Sequence, residues 1–341
     1  MAAGERDGRM RPAKGSGMAL IADVTGKNAS SQSRTSQRGS RMRLLSVADK
    51  AFLAVLIGVP LLALLAFVWL PALASVGISF TQWDGIGLSG LHWVGLQNYK
   101  NVFTNYPPFW PAVEHNIIWM VFTALVPTPA GIFLAYQLDR KIRFSRVYQM
   151  AIFLPVVLST AVVGFIWEIV YDPDHGLLNS ALGTNNPSGK HYIDWLGDPH
   201  LNLWAVLVAS AWRHTGYVMI LYLAGLKSVD PSLREAAAID GANGRQTFLR
   251  VIVPAMKPIN VTIIVVTVME SLRAFDMVYV LSGNNGSKQG LELLSLLITN
   301  NTVGESPRPG YGSALATVLL VVSMAAIVTF LVQNFRKERQ A

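Results

Sequence analysis

Five ionisable side chains stand where the surrounding sequence is most apolar. Arg213, followed by His214, lies near the centre of the stretch from 200 to 226, and Glu270, Arg273 and Asp276 lie in the stretch from 257 to 281. On a continuous helix the latter three fall within about 120° of one another, together with Thr262, Met269 and Met277. Facing lipid near mid-membrane, each would cost roughly 2.5 to 3.5 kcal/mol, so the stripe must face protein or a wet cavity. Two arrangements satisfy that demand. In one, Arg213, Glu270, Arg273 and Asp276 line a path with the aromatics Trp212, Tyr217, Phe275 and Tyr279 and hydrogen-bond the hydroxyls of a passing solute. In the other, Glu270 pairs with Arg273 three residues away and the remaining groups fasten helices together. The path is favoured for Arg213, whereas His214 reads as a satisfied interior histidine rather than a proton relay.

Other chemistry has no carrier. The chain has no cysteine, no HExxH or other metal-ligand cluster and no nucleophile–base pair, so no catalytic residue, metal or cofactor is expected. Gly85-Ile-Gly-Leu-Ser-Gly90 is a formal GxGxxG, but no βαβ pattern surrounds it. The stretch from Gly183 to Lys190 is one residue too long for a phosphate loop and lacks the final Ser or Thr, so ATP hydrolysis by this chain is not expected.

A second constellation is the polar island from 230 to 254, set between two of the most apolar stretches. Asp230 or Ser232 can cap a helix, Pro231 suits the first helical position, and Ser232 with Glu235 has capping-box spacing. Gly241 supplies the stop. About nine residues give a rod of roughly 14 Å, too short to stand alone in water, so it must pack on something else. Ala236, Ala237 and Ala238 have almost no bulk, which lets a partner's surface approach the backbone. A second short helical pattern runs from about Gln246 and is closed by Pro254. By itself the island also fits an ordinary helix-turn-helix connector.

The elements that position both constellations are apolar. The 341 residues are 52% hydrophobic and 14% charged, a membrane composition. Six stretches, at roughly 48 to 73, 113 to 138, 147 to 171, 200 to 226, 257 to 281 and 313 to 334, are long enough to cross about 30 Å of hydrocarbon. Of the 28 Lys and Arg residues, 22 fall on the side of the termini and the Glu235 loop. The alternate loops hold Lys100, Lys190, Lys288 and Arg308, and Arg213 and Arg273 lie inside spans. That asymmetry predicts an all-α integral membrane protein with six transmembrane helices, both termini cytoplasmic, and the island as a cytoplasmic helix between the fourth and fifth spans. It also accounts for the net charge of +8 without a nucleic-acid partner. Residues 1–46 read as a disordered basic cytoplasmic tail, and 47–341 as one transmembrane domain whose loop 227–256 carries the island. The apolar run from 51 to 70 is about twice the length of a signal-peptide core, so it reads as a retained first helix even though Ala72-Leu73-Ala74 resembles a cleavage site.

Glu235-Ala236-Ala237, then Asp240-Gly241, then Pro254 at its proper distance resemble the EAA loop of binding-protein-dependent ABC importer permeases. Val251 and Val253 stand where that family usually has Ile and Leu, both apolar exchanges. The segments Trp93-Val-Gly-Leu-Gln-Asn-Tyr99, Phe153-Leu-Pro155, Asp172-Pro-Asp-His-Gly176, Trp195-Leu-Gly-Asp-Pro199 and Phe275-Asp276-Met-Val-Tyr279 are similar to its carbohydrate branch, the maltose and glycerol-phosphate type. Asn284-Asn285 departs from the glycine run usual there. The resemblance implies a permease subunit of a carbohydrate importer in the bacterial cytoplasmic membrane. It implies a second permease subunit, a cytoplasmic ABC ATPase dimer that receives the coupling residues Glu235, Ala236, Ala237, Asp240, Gly241 and Pro254, and an extracytoplasmic solute-binding protein, for which the loop from 172 to 199 is a candidate docking surface. The solute on the path would then be a sugar.

A rival reading is an ion- or proton-coupled secondary transporter with Glu270, Asp276 and His214 as its relay. Such carriers often show inverted repeats, which this sequence lacks, and the Ala-rich island would have no role in one.

Overall fold

The computed structural model describes residues 46–87, 90–140, 142–184, 192–283, 288–304 and 306–338. The expected tail lies outside these residues except for Ser46, as do Asn284-Asn285 and residues 185–191 of the candidate docking loop. The chain divides into two units, residues 1–62 and 63–341. In the first unit the described part is helical from Val47 and presents Phe52, Val55, Leu56 and Ile57 outward, a surface suited to lipid rather than water.

The described part of the second unit is mostly helical. Phe109–Leu125 continues through Val126 into Pro127–Asp139. Pro127 has no N–H to offer the carbonyl of Thr123, and the hydroxyl of Thr128 donates to that carbonyl instead, at 2.9 Å. Asn202–Ser228 is the interior element, with Val206, Leu207, Ala209, Val218 and Met219 fully buried. Its close packing on Pro127–Asp139 requires a glycine, because a Cβ at Gly131 would lie 2.7 Å from Cγ1 of Val218. One core cluster joins Val163, Leu207 and Val278, a second joins Ala135, Met219 and Ile263, and a third joins Val102, Phe109 and Leu315 of the final helix Pro309–Glu338.

Two expected spans are not continuous. The third is a pair, Ser145–Val157 and Thr160–Tyr171, bent by 100°. Leu158 and Ser159 are extended there, and the hydroxyl of Ser159 caps the new helix by accepting the N–H of Val162 at 3.3 Å. The fifth, expected from 257, is preceded by a 76° bend between Gly244–Ala255 and Lys257–Leu281 and is itself interrupted between Lys257–Leu272 and Asp276–Leu281. Among the described residues three helices, Ala48–Ile78, Phe109–Asp139 and Pro309–Thr329, are long and apolar enough to cross a membrane, or up to five if each bent pair is one span. Asn202–Ser228 is long enough, at 27 residues or about 40 Å, but Arg213 and His214 make its middle polar. A small correction to an all-α chain is the antiparallel pair Thr81–Gln82 with His92–Trp93, in register Thr81 to Trp93.

Candidate functional site

Residues 227–256 form a built joint rather than a slack connector. Asp230 is the N-cap of helix Pro231–Ile239, its carboxylate accepting the N–H of Ser232 at 2.9 Å, and that bond holds the carboxyl below its ordinary range. The choice between Asp230 and Ser232 is thereby resolved, and the cap leaves Glu235 exposed. Gly241 adopts φ +77°, which L side chains rarely do, and closes the helix as a Schellman turn. Ala242 N–H donates to Ala237 at 2.9 Å and Gly241 N–H to Ala238 at 3.1 Å. Ala237 is buried, Glu235, Ala236 and Asp240 are exposed, and Ile239 is 87% exposed.

The second helix starts two residues before the position expected. Asn243 opens it at Gly244 with a reciprocal capping box, Asn243 and Gln246 each accepting the other's backbone N–H at 2.9 Å. It passes through a π turn, Phe248–Ile252, and runs one residue past Pro254 before the bend. The amide of Asn260 donates to the carbonyl of Val253 at 2.8 Å and so bridges the bend.

What fixes this joint escaped sequence reasoning. Arg234 Nη1 donates to Asp139 Oδ2 at 2.7 Å, tying Pro231–Ile239 to the end of Pro127–Asp139, and Nη2 reaches the carbonyl of Leu226 at 3.4 Å. The Tyr136 hydroxyl donates to the Gly244 carbonyl at 3.3 Å, and its ring lies 4.1 Å from that of Phe248. The available signal was an arginine beside Glu235 and an acid, Asp139, standing at the head of a basic run.

The charges of the two stretches come to one place. Arg213, His214, Glu270, Arg273, Phe275 and Asp276 line one open cavity of about 80 Å³ together with Trp119 and Thr123, His214 buried, Arg213 half-buried, and Glu270, Arg273 and Asp276 exposed. The stripe is not built by a continuous helix, which corrects the expected geometry. The helix Lys257–Leu272 stops, Arg273 and Phe275 leave helical geometry, and a new helix starts at Asp276. Asn116 donates to the freed carbonyl of Ser271 at 3.3 Å and accepts Leu294 N–H at 3.0 Å, while the hydroxyl of Ser295 takes the carbonyl of Ala274. Irregular backbone of this kind is tolerated at membrane depth where it is buried in protein or lines a wet cavity.

Glu270 and Arg273 do not pair with each other: among the described residues the ion pairs are His115 with Glu292, His175 with Asp172, and Arg234 with Asp139. Arg213 Nε is buried without a hydrogen-bond partner among the described residues. His214 Nε2 lies 3.3 Å from the Thr267 hydroxyl, as a satisfied interior histidine should. Three of the expected path aromatics do not line the cavity. Trp212 meets Trp167 edge-on at 5.9 Å, Tyr217 lies 6.1 Å from His214, and Tyr279 stacks on Phe275 at 5.1 Å as a second layer.

The family model described as "binding-protein-dependent transport system inner membrane component" matches residues 127–339, which contain the joint and all of the cavity's lining but Trp119 and Thr123. The chain belongs to that family. The resemblance read from residues 235–254 is thereby borne out, and the chain is a membrane transport component. Among relatives, the xylose/arabinose import permease protein XacH of Haloferax volcanii is 34% identical over 262 residues, covering 76% of this chain and 80% of that one. The lactose transport system permease protein LacF of Rhizobium radiobacter is 31% identical, covering 90% of this chain and 99% of its own length. In fold, the family member resembles a bacterial ABC transporter involved in the import of the acidic polysaccharide alginate. The TM-score is 0.71 at 20% identity, over 85% of this chain and 96% of that one.

Proposed function

We propose that this chain is the permease subunit of an ATP-driven importer and forms half of the membrane path for a sugar or oligosaccharide handed over by an extracytoplasmic binding protein. The observation that carries the reading is the joint: a nine-residue helix, capped at both ends and braced by Arg234 on Asp139, with Glu235, Ala236, Asp240 and Ile239 left open to a partner. A separate ATPase dimer docks there and hydrolyses the ATP. Its closure moves Pro231–Ile239 as a rigid lever, and the flanking elements, Asn202–Ser228 and the bent pair after Gly244, switch the central cavity between sides. The sugar class is supported by the relatives' names, xylose/arabinose and lactose permeases among them.

The membrane is the bacterial cytoplasmic membrane, with six spans and both termini inside. Asn202–Ser228 is the fourth of these spans, and its polar middle is tolerated because a helix surrounded by protein need not be apolar throughout. A cavity of about 80 Å³ has room for two or three waters but not for a sugar ring, so it is one wall of the path, and a second permease subunit supplies the other.

Arg213 supplies the test. In Arg213→Leu the assembled complex should import at least about 10-fold more slowly, the loss of one charged hydrogen-bond donor to the solute, with subunit association unchanged. Import at the wild-type rate with the same apparent KM would remove Arg213 from the path.

A further inference from the structure

A second cavity, of about 640 Å³, opens among residues 82–84, 94–106 and 307–311. It lies beyond Phe109, the far end of the 31-residue run Phe109–Asp139 whose other end holds Arg234, so roughly 45 Å of helix separates it from the joint. Gln97, Asn101 and Asn105 follow one another at four-residue intervals on one face of this wall. Gln97 Nε2 and Asn105 Nδ2 both donate to Asn101 Oδ1, at 3.1 and 3.3 Å. The three amides therefore present acceptor, donor and acceptor groups in turn that no other described residue takes up. Asn98 has a different task, giving its amide protons to the carbonyls of Ser79 and Thr81 at 2.9 and 2.8 Å and so fixing the wall.

The indole N–H of Trp83 is tied to the carbonyl of Gly87 at 2.7 Å, which holds that ring at the cavity. Asp84 and Arg308 add one charge of each sign, and Arg308 has no ion pair among the described residues. Such a lining suits neither an acyl chain nor a simple ion. A sugar hydroxyl both donates and accepts, so amides of alternating polarity match neighbouring hydroxyls, and a fixed indole covers the C–H face of the ring. The volume is that of a small-molecule site.

We propose that this cavity is a second saccharide-binding site, separate from the central cavity at Arg213, in which the Gln97, Asn101 and Asn105 amides hold ring hydroxyls and Trp83 packs on the sugar face. It rests on the importer reading only for the choice of probes. The test is saturation-transfer NMR of the full chain in lipid nanodiscs, without a binding protein, titrated with maltotriose, xylotriose and arabinotriose. At least one trisaccharide should bind saturably, about 3- to 10-fold more weakly to Asn101→Leu and to the surface variant Asn105→Leu, and equally well to Arg213→Leu. No saturable binding of any of the three, or binding lost in Arg213→Leu and retained in both amide variants, overturns the site. A complex that binds through Asn101 but shows no ATP-driven sugar import would sink the importer reading and leave this site standing.

Discussion

Gly241→Val should leave ATP hydrolysis running while import falls at least about 10-fold, because the lever loses its fixed end. The cost comes from the backbone alone. Nothing lies within 4 Å of a Cβ placed at Gly241, so no neighbour is displaced, but φ of +77° puts a β-branched L residue about 1–2 kcal/mol or more out of its preferred region. The chain relieves that strain by giving up the bonds from Ala242 to Ala237 and from Gly241 to Ala238. A helix of nine residues has little reserve against such a loss, since most of its stability comes from contacts outside itself. Gly241→Asn, which tolerates the left-handed region, should retain most of the import. Normal import by an assembled Gly241→Val complex would refute the lever.

The second large effect is expected at the brace. Arg234→Ala or Asp139→Ala should each lower import by about 5- to 10-fold while the ATPase still co-purifies. Arg234 is 38% exposed, so the pair itself contributes only about 1 kcal/mol or less to stability. Its importance is directional. Asp139 stands at the C-terminus of its helix and Arg234 in the first turn of its own, each the unfavourable end for its charge, so the helix dipoles do not explain the pairing. Exchanging the charges, Arg234→Asp with Asp139→Arg, suits both dipoles and should restore about half of the lost import. Two single variants that import normally would show that the brace transmits nothing.

Much of this architecture was legible because it is written locally. The apolar runs, the stop at Gly241 and the Asp230-Pro231 start are set by propensities of residues within one turn of where they act. The cost of leaving such groups in lipid pointed to one shared face for Arg213, Glu270, Arg273 and Asp276, and they do line one cavity, but Glu270, Arg273 and Asp276 remain exposed there. The break at 273–275 was not legible. No Gly or Pro marks residues 273–275, and the helix can stop there because Asn116 and Ser295, distant in sequence, take the carbonyls it frees. Arg234 likewise looked like one more positive charge on an inner loop, until folding brought Asp139 to it from 95 residues away.

The most direct measurement uses the absence of cysteine. With none in the sequence, Glu235→Cys places a single thiol on the exposed face of the short helix. A membrane-impermeant maleimide should label it in inside-out vesicles and not in intact cells, and an added ATPase subunit should protect it. Labelling in intact cells, with the inside-out vesicles silent, would contradict a joint that meets its motor on the cytoplasmic side.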